Sequence, residues 1–155
     1  MKKLLIVLLF LIIILPAAFS QDRLMSAGFG LEWNMNSHHN FAGGAVASFD
    51  YALLPYLALG LSVTGSSNFN GTSVLEPTVH GRFYVFENCW GHKFFAQYDL
   101  GAFLLMENQS TRPLLDFGFR GGMRAPLGTT FYLEPFGRWG YPFAFSLGLM
   151  AGNRF

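Results

Sequence analysis

Serine, histidine and acidic residues recur along this chain at positions that one face of a β-strand would share, and such a set could perform hydrolysis. A hydrolytic triad places a histidine between a hydroxyl group and a carboxylate, and His80 with Asp99 could supply the last two members. A buried ion pair is the favoured interpretation of those two residues, because structural charge networks also bring such groups together. We therefore predict no catalytic residue, and a lipid-modifying enzyme stays the third hypothesis. The candidate nucleophiles would be Ser26, Ser48, Ser62 and Ser146.

Two short stretches contain residue types that bind metals. His38 and His39 are adjacent within a polar segment, and Cys89 lies three residues before His92. A zinc site needs three or four converging ligands, and neither stretch has a matching second half elsewhere in the sequence. There is also no glycine-rich phosphate loop and no haem attachment motif. The sequence therefore predicts neither a metal site nor a cofactor.

The composition limits the class of protein. The chain has 155 residues, of which 52% are hydrophobic and only 12% are charged, whereas about a quarter are charged in an ordinary soluble domain. One cysteine rules out a disulfide scaffold. A formal charge of +1 gives no basic stripe for binding nucleic acid. Any model of the fold must explain how so apolar a chain stays folded with so few charges.

The first twenty residues have the layout of a secretory signal peptide. Lys2 and Lys3 precede an apolar run over 4–15, and Ala18 and Ser20 are small residues at the −3 and −1 positions of a cut after Ser20. The alternative is a membrane-anchoring helix, but the run is shorter than the ~20 residues that span a bilayer. We therefore expect residues 1–20 to be a cleaved signal peptide and residues 21–155 to form one β-barrel domain.

The rest of the chain alternates with period two rather than with helical spacing. Between Leu57 and Val63, for example, every second residue is leucine or valine, and the intervening residues are small or polar. Period-two alternation predicts β-strands, and eight is an even number of the kind that membrane barrels contain. The predicted fold is therefore all-β, an eight-stranded antiparallel up-and-down transmembrane β-barrel. The predicted strands cover 25–33, 41–51, 57–63, 75–85, 94–104, 115–124, 131–139 and 143–155. The connections at one end of the barrel are 34–40, 65–74, 105–114 and 139–142.

The charged residues indicate which face of the barrel lies inside. Eleven charged residues and His80 fall on the polar faces of the predicted strands, interleaved with glycines, and none falls on an apolar face. A soluble barrel, the alternative, would need larger solvated polar faces, whereas small residues and paired charges suit a crowded bore. We predict a charge network that plugs the lumen, made of Glu32, Asp50, Glu76, His80, Arg82, Asp99, Asp116, Arg120, Arg124, Glu134, Arg138 and Arg154.

The sixth and seventh strands suggest a specific register. A hairpin symmetric about Leu127 would place Asp116 opposite Arg138 and Arg120 opposite Glu134, and opposite charges facing each other across strands are stabilising. His80 opposite Asp99 is one option for the fourth and fifth strands. Separately, Pro77 and Pro135 lack the N–H that a ladder needs, so we expect bulges beside them.

Two segments carry a family resemblance. The last predicted strand ends in an aromatic residue, Phe155, and 50–60 resembles the short hairpin of small barrels of the OmpA/OmpX-like class. The resemblance implies the outer membrane of a double-membraned bacterium, contact with outer-membrane lipid, and recognition of Phe155 by the barrel-assembly machinery. We expect a monomer with a structural or surface role. A lateral opening at a proline bulge, as the OmpW-like class implies, would instead make a narrow channel for small or hydrophobic solutes.

Overall fold

The protein is a closed β-barrel. A computed structural model describes residues 24–35, 41–68, 72–89, 91–107 and 110–155, so the predicted signal peptide lies outside the described residues. In the described part of the chain, no helix is long and apolar enough to cross a membrane. The eight strands are β1 (Met25–Met35), β2 (Phe41–Leu54), β3 (Leu57–Ser67), β4 (Thr72–Glu87), β5 (Lys93–Glu107), β6 (Ser110–Leu127), β7 (Phe131–Tyr141) and β8 (Phe145–Arg154).

Each strand pairs antiparallel with its neighbours in sequence, and β1 closes the barrel against β8. Closure leaves no sheet edge along most of the strand length, so backbone N–H and C=O groups are satisfied between strands. Both described ends of the chain, near Leu24 and Phe155, lie at the end that carries the turns at 55–56, 88–92 and 128–130. We call this the turn end, and the opposite end the loop end. The predicted eight-stranded antiparallel barrel is confirmed.

The alternation separates an apolar outside from a polar inside. On β3, the outward side chains of Leu59, Leu61 and Val63 are 47%, 58% and 45% exposed, whereas the intervening Ser62 and Thr64 are buried. This is the reverse of a soluble protein, in which large apolar side chains are mostly buried. The excess of hydrophobic residues in the sequence is therefore the outer surface of the barrel.

The predicted register between β6 and β7 is wrong. Phe117 pairs with Tyr141 and Leu127 pairs with Phe131, so the hairpin is centred on Thr129 rather than on Leu127. Gly128 has a φ of 74°, a conformation that glycine adopts readily. The turn therefore forms at 128–130, and Ala125 and Pro126 belong to β6.

The same register shift changes the expected charge pairs. Arg120 lies opposite Arg138 rather than opposite Glu134. Asp116 and Arg138 are not cross-strand partners, although the long arginine side chain still reaches Asp116. Between β4 and β5, His80 does lie opposite Asp99 as proposed.

Two further details of the predicted strands need correction. Residues 105–107 and 110–114 belong to β5 and β6 rather than to a connection, because Leu105 pairs with Arg112 and with Val74. No register shift occurs at Pro77 or Pro135, although Pro77 has no ladder partner on β5 and Pro135 has none on β6. The shifts occur at Ala52/Leu54 and Tyr84/Phe86. The expected bulges at the two prolines are therefore wrong.

Candidate functional site in the barrel lumen

Arg82 of β4 lies at the centre of the polar interior. Its side chain is fully buried, and Nη1 lies 3.1 Å from Asp50 Oδ2 and 3.0 Å from Glu134 Oε2. Nε donates to Gln97 Oε1 at 2.7 Å, and the guanidinium carbon lies 4.3 Å from the centre of the Phe95 ring. Because β2, β4 and β7 are not neighbours, these ion pairs cross the bore rather than follow one ladder.

Asp50 collects donors at the turn end of the bore. His80 Nε2 donates to Asp50 Oδ1 at 2.7 Å, and Arg124 Nη2 donates to Oδ2 at 2.9 Å. Arg124 Nε also donates to Glu134 Oε2 at 2.7 Å. The expected ion pair between His80 and Asp99 is therefore wrong, although their expected cross-strand register is confirmed. We call this group the inner cluster: Asp50, His80, Arg82, Arg124 and Glu134.

Arg138 organises a second group nearer the loop end. Its Nη1 lies 2.7 Å from Glu76 Oε2, and its Nη2 lies 2.5 Å from Asp116 Oδ1. Asp99 Oδ2 lies between Arg138 Nε at 3.8 Å and Arg120 Nε at 3.6 Å. We call this group the outer cluster: Glu76, Asp99, Asp116, Arg120 and Arg138. Ten of the twelve predicted network residues therefore join one of two clusters.

Glu32 and Arg154 are the two predicted members that join neither cluster. Both carboxylate oxygens of Glu32 are buried, and neither has a hydrogen-bond partner among the described residues. Arg154 lies half-buried near the turn end, and its Nε is buried without a partner in the described part of the chain. The sequence places both side chains on the correct face but does not show that they stay outside the ion-pair network.

An apolar plug inside the lumen was missed by the sequence analysis. Val46, Phe95, Phe136 and Met150 pack together from β2, β5, β7 and β8, and all are at most 4% exposed. Ser48 Oγ donates to the sulfur of Met150 at 3.2 Å. The signal was present in the sequence, because these apolar residues interrupt otherwise small or polar faces.

A second pair of aromatic side chains lies near the loop end. Phe103 is 4% exposed, and its ring centre lies 5.4 Å from that of Phe143 in an edge-to-face arrangement. Period-two alternation over the last predicted strand would place Phe143 on the outward face, with Phe145 and Leu147. That placement is wrong, because β8 begins only at Phe145 and Phe143 turns toward the lumen-facing Phe103.

Within the described residues, Ser26, His80 and Asp50 are in contact but are not arranged as a catalytic relay. Ser26 Oγ donates to Asp50 Oδ2 at 3.2 Å, and His80 donates to the other oxygen of the same carboxylate. A nucleophilic triad needs the imidazole beside the hydroxyl group, whereas here the carboxylate separates them. This arrangement stabilises a buried charge and does not activate Ser26.

Metal-ligating residue types are dispersed in the described residues. No group of three or more His, Cys, Asp and Glu side chains within them is placed to hold a metal ion. Cys89 is exposed, and His92 Nδ1 lies 2.9 Å from Asn88 Nδ2. His38 and His39 lie outside the described residues.

The fold resembles those of several solved barrels. The N-terminal β-barrel domain of Pseudomonas aeruginosa OprF has a TM-score of 0.61 at 14% identity, covering 84% of this chain and 97% of that one. Neisserial surface protein A also gives 0.61, at 15% identity, covering 84% of this chain and 94% of that one. The chain has the fold of the small eight-stranded outer-membrane barrels.

Further comparisons agree on the fold alone. Ail, the attachment invasion locus protein of Yersinia pestis, gives a TM-score of 0.52 at 12% identity, covering 84% of this chain and 96% of that one. A designed transmembrane β-barrel gives 0.56 at 12% identity, covering 88% of this chain and all of that one. No protein-family model matches the chain, and no curated protein matches it significantly.

Proposed function

We propose that this protein is an outer-membrane β-barrel with a closed lumen and a structural or surface role. The outward apolar belt supports the membrane location, since Phe29, Leu31 and Leu115 are each more than 60% exposed. In water such a belt would be an aggregation site, whereas lipid chains solvate it. The similarity to small outer-membrane barrels supports the same compartment.

The observation that carries the closed-lumen proposal is the placement of Arg82 against Phe95. The guanidinium group bridges acids from β2 and β7, and the Phe95 ring belongs to the apolar plug. Charged and apolar side chains thus fill the same section of the bore. An eight-stranded barrel has room for little more than its own side chains, so this section leaves no continuous aqueous path.

The alternative of a channel for hydrophobic solutes relied on lateral openings at proline bulges. The pairing of β4 with β5 and of β6 with β7 skips these prolines but resumes in the same register, so the strands stay together there and no bulge supports a lateral opening. We therefore base the proposal on the closed lumen alone, and no observation favours the channel over it.

Planar-bilayer recordings of the purified protein test the proposal. We expect no steady single-channel current from the wild type. The double variant Arg82→Ser/Phe136→Ser removes one charged and one apolar side chain from the bore and serves as the comparison with an opened lumen. A gel mobility that still shifts on boiling shows that this variant is folded. Reproducible steady currents from the wild type would overturn the closed-lumen proposal.

A further inference from the structure

A cavity of about 570 Å³ lies at the turn end of the barrel. Its walls include the cations Lys93, Arg124 and Arg154, the carboxylate of Asp50, and the Ser26 and Tyr84 side chains. Pockets for small molecules typically measure about 300–1,000 Å³, so the volume suits a small solute rather than a macromolecule.

The strand register places the three cations on the wall of one cavity. Lys93 and Arg124 are direct cross-strand partners, and Arg154 is the partner of Ser26 on the other side of the opening. The Tyr84 ring borders the first two, with Lys93 Nζ at 5.9 Å and the Arg124 guanidinium carbon at 5.6 Å from its centre. The strands therefore set where these side chains start, and Lys93 and Arg124 lie beside the same aromatic ring.

The carboxylates near this cavity leave part of that charge uncompensated. Asp50 already accepts from Ser26, His80, Arg82 and Arg124. Arg154 has no carboxylate within ion-pair distance among the described residues. Glu87 lies 3.5 Å from Lys93, but both side chains are substantially exposed, and exposed ion pairs are weak.

The rest of the lumen has the opposite excess of charge. Toward the loop end, the four carboxylates of Glu32, Glu76, Asp99 and Asp116 face only two guanidinium groups, those of Arg120 and Arg138. Among the described side chains, the turn end has four cations, Arg82, Lys93, Arg124 and Arg154, against the three carboxylates of Asp50, Glu87 and Glu134. The lumen therefore has two excess negative charges toward the loop end and one excess positive charge at the turn end. An anion would be repelled from the outer cluster and attracted to the turn end.

We propose that the turn-end cavity binds a small phosphate-bearing anion, with Arg154 and Lys93 as its principal ligands. Guanidinium groups form charge-assisted hydrogen bonds with phosphate oxygens, and the Ser26 hydroxyl group borders the same cavity. The binding site follows from the positions of these side chains in the barrel and does not require the lumen to be closed. Its assignment to the periplasmic side of the membrane rests on the proposed function, so conducting wild-type barrels would not by themselves refute the binding site.

The test is equilibrium dialysis of radiolabelled inorganic phosphate against folded protein in an alkyl glycoside detergent that contains no phosphate. We expect saturable binding that weakens about tenfold in Arg154→Gln or Lys93→Gln, the loss expected for one charge-assisted hydrogen bond. Arg154→Lys should retain most of the binding. Arg112→Gln is the matched control, because Arg112 is an exposed cation near the opposite end, and it should bind phosphate as the wild type does.

Competition distinguishes two sources of the phosphate group. Glycerol phosphate competing more strongly than short-chain phosphatidylglycerol supports a free solute, and the reverse order supports a lipid headgroup at the same site. No saturable binding, or equal losses in Arg154→Gln and Arg112→Gln, would overturn the proposal. Because Lys93 lies at the exposed rim, Lys93→Gln keeps the test valid if an Arg154 variant fails to fold.

Discussion

Arg120 and Arg138 lie directly opposite each other on β6 and β7, with both side chains buried in the lumen. Like charges in this relationship repel, but the two guanidinium groups have different partners. Arg138 lies between Glu76 and Asp116, while Arg120 stacks on the Phe136 ring with its guanidinium carbon 4.5 Å from the ring centre. The outer cluster therefore depends on Arg138 far more than on Arg120.

This difference predicts unequal effects of removing the two arginines. Arg138→Met leaves Glu76 and Asp116 buried without a countercharge, and breaking a buried ion pair in this way lowers the free energy of unfolding by about 3–5 kcal/mol. Arg120→Met removes one contact of 3.6 Å with Asp99 and should be clearly less destabilising. Urea unfolding in lipid vesicles, followed by the boiling-dependent gel shift, measures both. Equal losses would contradict the described outer cluster.

Replacing a buried glutamate by glutamine should have opposite effects on stability at Glu32 and at Glu76. Glu32→Gln removes a buried charge that has no hydrogen-bond partner among the described residues, so it should leave the free energy of unfolding unchanged or raise it. Glu76→Gln, at a similarly buried site, weakens the 2.7 Å contact with Arg138 and should lower it by about 1.5–3 kcal/mol. The same urea titrations measure the free energy of unfolding of both variants. A larger decrease for Glu32→Gln than for Glu76→Gln would refute this interpretation.

Glycines on the two faces of the barrel should respond differently to an added methyl group. A Cβ at Gly101 would lie 2.8 Å from Thr78 Cα and would also clash with the Pro77 carbonyl oxygen, whereas a Cβ at Gly65 meets no atom within 4 Å. Gly101→Ala should therefore destabilise the barrel by about 1–3 kcal/mol, as overpacking does. Gly65→Ala should have little effect. Heating each variant and measuring the fraction that still migrates as the folded band on a gel compares their thermal stability. Similar decreases for Gly101→Ala and Gly65→Ala would contradict the described packing.

Period-two alternation predicted the eight strands and the inward position of the charged residues, because the face on which Asp50 or Arg138 lies follows from local sequence. It did not predict the ends of β5, β6 and β8. The ion partners were harder to predict. Arg82 meets Asp50 and Glu134 across the bore, and only the closed curvature brings β2, β4 and β7 together. The β6–β7 register depended on the left-handed Gly128, which no charge pattern reveals.

The central claim is that the apolar face contacts lipid and the charged face lies inside. Trp33 and Trp139 face outward and are 59% and 52% exposed. In vesicles of lipids with brominated acyl chains, we expect strong quenching of their fluorescence in a Trp90→Phe background.

Phe136 and Leu149 give a matched pair at nearly the same depth in the membrane. Phe136 pairs with Gly148 and points inward, while the neighbouring Leu149 is 50% exposed on the outside.

The most direct measurement is therefore bromolipid quenching of a single tryptophan at each of these two positions, with Trp33, Trp90 and Trp139 replaced by phenylalanine. The inverted barrel predicts strong quenching for Leu149→Trp and weak quenching for Phe136→Trp, in samples whose gel mobility shows that the barrel is folded. Equal quenching at the two positions, or stronger quenching at Phe136→Trp, would contradict the account.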